Sequence, residues 1–127
     1  MSETIKYTEE HEWILIEDGD VAVIGITAFA QDALGDLVFV ELPETGRTLD
    51  KGEDFAVVES VKTAAEVYTP VSGEIVAIND NLSSDPELIK KSLEEGWIAK
   101  VKMSDPAQLA ALMDKEAYDK FVEEQDH

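Results

Sequence analysis

The sequence has no cysteine. Disulfides, thiol nucleophiles and Cys-ligated zinc or iron–sulfur sites are therefore excluded. Histidine is nearly as scarce: only His11 and His127 occur, with no pair at metal-ligand spacing, so a metal site built on histidine is not expected. Basic residues are few, 10 against 29 acidic ones, for a formal charge of −19. Nucleic acid and anionic membranes would be repelled by that field, since binding them requires Lys and Arg to neutralise phosphates. The acidity serves either solubility or steering onto basic faces of partners, and composition does not choose between them. Nowhere does the chain approach the roughly 18 consecutive apolar residues of a membrane span. Met1-Ser2-Glu3-Thr4 has none of the character of an export or import leader, so a cytoplasmic protein is expected.

Catalytic furniture is missing as well. No glycine-rich loop precedes a helix in phosphate-cradling order, and no serine stands in a nucleophile-elbow setting. Acidic pairs such as Glu9-Glu10 and Glu123-Glu124 are inevitable with 29 acids and read as solvated faces. The chain is not expected to catalyse anything alone. A hydrolase would lack both nucleophile and base.

What is present is a soluble, foldable composition: 127 residues, 44% apolar, sized for one domain spanning residues 1–127. A β core over about 11–103 is expected, with strands at Glu12–Ile16, Val21–Thr27, Leu37–Leu42, Phe55–Ser60, Ala65–Thr69, Glu74–Ile78 and Trp97–Met103. Turn chemistry separates them at Asp18-Gly19-Asp20, Pro43–Gly46, Lys51-Gly52 and Pro70–Gly73. Leu37, Phe39 and Val57 have the alternation of one buried face, although Val57-Val58 interrupts it. Strands so short must close into a small sandwich or barrel. A short helix is expected over Phe29–Leu34 with Gly35 as its stop, and another at Pro86. Asp105-Pro106 opens a helical tail over about 105–125. Its apolar stripe, Leu109, Leu112 and Met113 followed by Tyr118, Phe121 and Val122, should pack on the sheet. Gly25, Gly35, Gly46 and Gly73 read as backbone requirements of turns and caps.

The most informative stretch is Glu59-Ser60-Val61-Lys62-Thr63-Ala64-Ala65. It joins two strands by a very short connection. With no Gly or Asn to supply positive φ, a type I turn is expected. A lysine there has a fixed base and a free four-carbon stem. An acylating enzyme could find such an amine, and a long arm built on it could visit several active sites at high effective concentration. Most exposed hairpin lysines are only solvated side chains. The surroundings distinguish this one.

Gly46-x-x-Leu49-x-Lys51-Gly52, then Glu59-x-x-Lys62, then Pro70-Val71-Ser72-Gly73-Glu74 resembles the lipoyl/biotinyl carrier domain, in which similar half-motifs flank the modified lysine. That family has a turn glycine eleven residues after the lysine, as Gly73 stands after Lys62. The rest is similar to the glycine cleavage H-protein family in particular. The matching pieces are Tyr7-Thr8-x-x-His11-Glu12-Trp13, Gly25-Ile26-Thr27, Ala30-Gln31, Leu34-Gly35-Asp36-Leu37-Val38 and Val40-Glu41-Leu42-Pro43. Ile75-Val76, Asn79, Leu82, Pro86-Glu87-Leu88-Ile89 and Gly96-Trp97 follow in family order. Lys90-Lys91-Ser92-Leu93-Glu94-Glu95 departs from the family's usual Asn and Pro-Tyr turn, which alters the local loop but leaves the attachment hairpin untouched.

The resemblance implies a mainly β fold, a barrel-sandwich hybrid in the form of the flattened lipoyl-domain barrel, with short helices and a C-terminal helical tail. It implies lipoate amide-linked to Lys62, with Glu59, Ser60 and Val61 as the rest of the attachment motif. The arm would take an aminomethyl group from glycine decarboxylase (P protein), pass it to aminomethyltransferase (T protein), and be reoxidised by dihydrolipoamide dehydrogenase (L protein). A lipoyl or octanoyl transferase, or a lipoate ligase, would load it. The protein would be a carrier, not an enzyme, and a monomer, binding neither nucleic acid nor membrane. Glu59 reads equally as a recognition residue or a solvated strand position. His11 and Glu12 read equally as part of a groove sheltering the loaded arm, where a carboxylate would meet a cationic amine, or as a strand start whose Trp13 enters the core. Biotin carriers commonly place Met on both sides of the lysine, where this chain has Val61 and Thr63. A lipoyl domain of a 2-oxoacid dehydrogenase would carry a flexible linker. A relay donating lipoyl groups to other carriers would use the same lysine, so sequence does not separate it from glycine cleavage.

Overall fold

The computed structural model describes residues 5–17, 19–90 and 93–125. Met1–Thr4, Asp18 of the first turn, Lys91-Ser92 of the divergent loop and His127 lie outside the described residues. Alternating apolar residues make the chain strand-rich, and strands of two to seven residues fold back on one another as antiparallel ladders. The first half holds β1 (Ile5–Tyr7), β2 (Glu12–Glu17), β3 (Val21–Ile26), α1 (Ala28–Leu34), β4 (Leu37–Glu41) and β5 (Thr48–Leu49). The second holds β6 (Asp54–Ser60), β7 (Ala64–Tyr68), β8 (Gly73–Ile78), α2 (Asn81–Ser84), α3 (Leu93–Gly96), β9 (Ala99–Met103) and α4 (Lys115–Gln125). A six-stranded sheet runs β1-β2-β3-β9-β8-β5, and a three-stranded sheet runs β4-β6-β7. Ile14, Ile24, Ile75 and Val101 from the first share one buried cluster with Val40, Val58 and Val67 from the second. The fold is thus the mainly β, flattened barrel-sandwich that the resemblance implies. Among the described residues no helix is long and apolar enough to cross a membrane.

Several boundaries differ from expectation for identifiable reasons. β1 and β5 escape sequence reading because three and two residues are too few to show alternation. Trp97 precedes β9, with the Lys100 ammonium 5.2 Å from its ring centre. Phe39 does not share a buried face with Leu37. The ladder steps from Leu37↔Ser60 to Phe39↔Glu59, so Val38 is an extra residue that reverses the pleat. Leu37 and Val40 are consequently buried, while Val38 (55%) and Phe39 (45%) are exposed.

The tail is broken in two. Asp105 caps a 3-10 turn over Pro106–Ala111, its carboxylate accepting from the Ala107 N–H. Met113 then exchanges both backbone hydrogen bonds with Tyr7, at 2.8 and 2.9 Å, which halts the helix. Asp114 accepts from the Ala117 N–H as α4 begins. Leu109 and Leu112 pack against the core and Tyr118 is buried, so the stripe faces its own fold. The segment at Pro86 is likewise a 3-10 turn, Pro86–Lys90.

Two of the four glycines are needed for a reason other than turns. Gly25 lies mid-strand opposite Trp13, and a Cβ there would come within 2.5 Å of the indole. Gly73 opens β8 against the Lys102 carbonyl, not in a turn, and a Cβ there would collide with it. Gly25→Ala should therefore destabilise the protein by about 1–3 kcal/mol through overpacking. Urea unfolding checks this, and an unchanged midpoint would mean that the indole moves aside freely.

Candidate functional site

β6 and β7 meet in a two-residue turn, Val61-Lys62, beyond the last paired residues Glu59↔Ala64. Ser60 holds it together. Its N–H donates to the Thr63 carbonyl at 2.7 Å, and its hydroxyl donates to the same oxygen at 3.1 Å. That hydroxyl oxygen also accepts from the Lys62 and Thr63 N–H groups at 3.3 and 3.2 Å. Among described non-glycine residues only His11 has positive φ, so the turn is none of the types that need it. A serine hydroxyl replaces the glycine that other tight hairpins use.

The tip is braced from outside the hairpin as well. The Val61 N–H donates to the Asp36 carbonyl at 3.0 Å, joining the tip to the loop after α1. α1 stops at Gly35, whose φ of 83° suits a residue without Cβ. The Lys62 stem passes over that stop: a Cβ on Gly35 would sit 3.8 Å from Lys62 Cε. Lys62 is exposed, and Glu59 is partly exposed one pair below the turn. Val61 (69%), Val38 and Phe39 add exposed apolar surface on the same sheet and its tip. Sequence reading placed Phe39 in the core because the bulge at Val38 leaves no signature in composition.

A groove of about 240 Å³ lies between α1 and the β6–β7 pair. Phe29, Ala30 and Leu34 form one wall, Val58, Ala65 and Val67 the other, and His11 and Glu12 also line it. A second hollow of about 250 Å³ reaches Glu12 from the side of Thr8, Tyr68 and Leu112. His11 and Glu12 line a groove, and Trp13 of the same segment is buried in the fold.

Glu12 is the unusual group. It is only 2% exposed, accepts from the Thr8 hydroxyl at 2.9 Å, and accepts from the Tyr68 N–H at 3.0 Å. Burial pushes its pKa up to about 7, against the opposing pull of the two hydrogen bonds. Such a carboxyl is poised to ionise when a cationic amine enters, because the nearby charge favours the carboxylate. Taken together, the geometry offers an exposed, acylatable amine and an apolar-walled groove with a buried acid.

The sequence matches the glycine cleavage H-protein family over residues 5–125. It is 55% identical to the glycine cleavage system H protein of Rhodospirillum rubrum over 121 residues, covering 94% of this chain and 96% of that one. The H protein of Phenylobacterium zucineum is 56% identical over 119 residues, covering 93% and 98%. The crystal structure of an H protein from Mycobacterium marinum superposes with a TM-score of 0.83 at 34% identity, covering the whole of both chains.

The Glu12 carboxyl makes stability pH-dependent in a definite direction. Its pKa rises from 4.5 to about 7 on folding, so between those values the folded chain keeps a proton that the unfolded chain has lost. Stability from this group is full below that window and falls as pH rises through it, by on the order of 3 kcal/mol. Glu12→Gln lacks the titration. Urea unfolding at pH 4.5 and pH 8 should show the variant gaining on the wild type by that amount, and parallel pH profiles would show that Glu12 titrates like a solvated acid.

Proposed function

The chain belongs to the glycine cleavage H-protein family, and we propose on that basis that Lys62 is the residue that carries its lipoyl arm. One observation carries the reading: Lys62 is exposed on a turn braced by Ser60 and Asp36, over the end of the helix that walls the groove to Glu12. The residues fit the group. Its carboxyl would be joined to the Lys62 amine as an amide by a lipoyl or octanoyl transferase or a lipoate ligase. The apolar walls suit a hydrocarbon chain, and Glu12 suits a cationic amine at its far end.

When bound, lipoate would supply the sulfur chemistry that takes up and releases the aminomethyl cargo and its electrons. This chain's part is positional. Ser60 and Val61 hold the lysine's base, Glu59 offers a negative contact beside it, and the groove excludes water from whatever lies in it. In this role the chain serves glycine decarboxylase, aminomethyltransferase and dihydrolipoamide dehydrogenase in turn. It acts in the cytoplasm as a monomeric, single-domain carrier and does no catalysis itself. Amidation removes one of few positive charges and sharpens the acidic field that steers partners.

Intact-protein mass after exposure to lipoate and a lipoylating enzyme should show one enzyme-dependent adduct, mapping to Lys62 and lost in Lys62→Ala. An unmodified chain, under conditions that modify another carrier, would sink the assignment. Glu59→Lys should slow loading roughly tenfold by reversing a rim charge. Unchanged loading kinetics would make Glu59 a solvated strand position.

A further inference from the structure

The C-terminal helix meets the start of α1 through the Tyr118 hydroxyl, and its Phe121 ring also tilts on His11 with centres 5.8 Å apart. Tyr118 on α4 is buried, and its Oη lies 2.7 Å from Thr27 Oγ1 and 2.8 Å from His11 Nδ1. With one proton to give, the hydroxyl donates to one of these partners and accepts from the other. Burial raises the Tyr118 phenol above the usual tyrosine range, so the proton stays on it. The ring stacks on Tyr7 with centres 4.8 Å apart and meets His11 edge-on.

Both partners sit at control points. His11 is the described non-glycine residue with left-handed backbone, φ 68°, and its carbonyl accepts from the Thr27 N–H at 2.9 Å. Its imidazole packs on Phe29, which lines the groove, with centres 4.4 Å apart. Thr27 is the N-cap of α1: its hydroxyl accepts from the Ala30 N–H at 3.4 Å and its carbonyl from the Gln31 N–H at 3.0 Å. α1 has seven residues, too few to be stable alone, so its position is set by what holds its ends. Tyr118 and His11 hold the first end. The second end carries Gly35 under the Lys62 stem and Asp36, whose carbonyl accepts from the Val61 N–H.

We propose that Tyr118 is a positioning residue for the lysine hairpin: its hydroxyl fixes the start of α1, and α1 carries that constraint to Gly35, Asp36 and the base of Lys62. The C-terminal helix is then part of the carrier's working surface, far along the chain from the lysine it steadies. A partner or substitution that lifts α4 would loosen the hairpin without touching it.

Tyr118→Phe tests this, because it keeps the stacked ring and removes only the hydroxyl. Amide hydrogen exchange by NMR on the full-length, unlipoylated chain should show Ala30, Gln31, Gly35 and Val61 exchanging about fivefold faster, the change that losing one buried hydrogen bond produces. Ile24 and Val101 in the core strands should keep their wild-type rates. For a lipoylating enzyme, KM for the variant should rise about threefold with kcat held, since a loosened hairpin is harder to dock but presents the same amine. Unchanged exchange at Gly35 and Val61 overturns the proposal. So does acceleration shared equally by Ile24 and Val101, which is general destabilisation. The proposal rests on Lys62 as the attachment site only for its consequence in loading. A wild type that accepts no lipoyl group would sink that reading, while the exchange rates would still decide the role of Tyr118.

Discussion

A sheet three strands wide leaves both outer strands with unpaired backbone groups, and here a carboxylate meets each of them. Glu87 accepts from the Leu37 N–H on β4 at 2.8 Å, and Glu12 accepts from the Tyr68 N–H on β7 at 3.0 Å. The hairpin that bears Lys62 belongs to this sheet, so those closures support it alongside the ladder. Glu12 sits on β2 of the larger sheet, so its bond to Tyr68 also stitches the two sheets together. Burial makes that stitch pH-sensitive. The group that closes the barrel edge is also the acid that faces the groove.

Rigidity and freedom are divided along a short path. Ser60 locks the turn, Asp36 ties it to the end of α1, and Leu34 buries that end in the core. The Lys62 side chain, by contrast, is exposed. If Lys62 bears the arm as proposed, this contrast serves it, because an enzyme must find the amine in one place while the extended arm must search many. The apolar residues Val38, Phe39 and Val61, set among acids, give the tip a contact surface that an acidic field alone would not provide.

Much of this was legible in the chain. Turn signals and Val/Ile-rich runs located seven strands to within a residue or two, and Gly35 and Asp105 marked helix ends by capping chemistry, whereas Thr27, expected as the end of a strand, proved to be the cap of α1. The short connection around Lys62 followed from the strand-like runs that close in on it from both sides, Phe55–Ser60 and Ala65–Thr69. Phe39 was misplaced because a bulge inserts one residue and reverses every later side chain, while the amino acids stay strand-like. The tail was read as continuous because Met113 pairs with Tyr7, a contact between distant parts of the chain that local periodicity does not contain.

By itself, the sequence determined the absence of thiol chemistry, the acidic charge, the strand-rich pattern, the family and the lysine worth watching. Those depend on composition and on spacings within short stretches, which local sterics and hydrogen bonding translate directly. Tertiary structure alone decided that Glu12 is buried with a pKa near 7, that α1 walls a groove reaching Glu12, and that Tyr118 touches Thr27 and His11. Each of these is a property of groups brought together from far along the chain. Desolvation, cavity shape and a shared hydroxyl exist only once the two sheets and the last helix have packed.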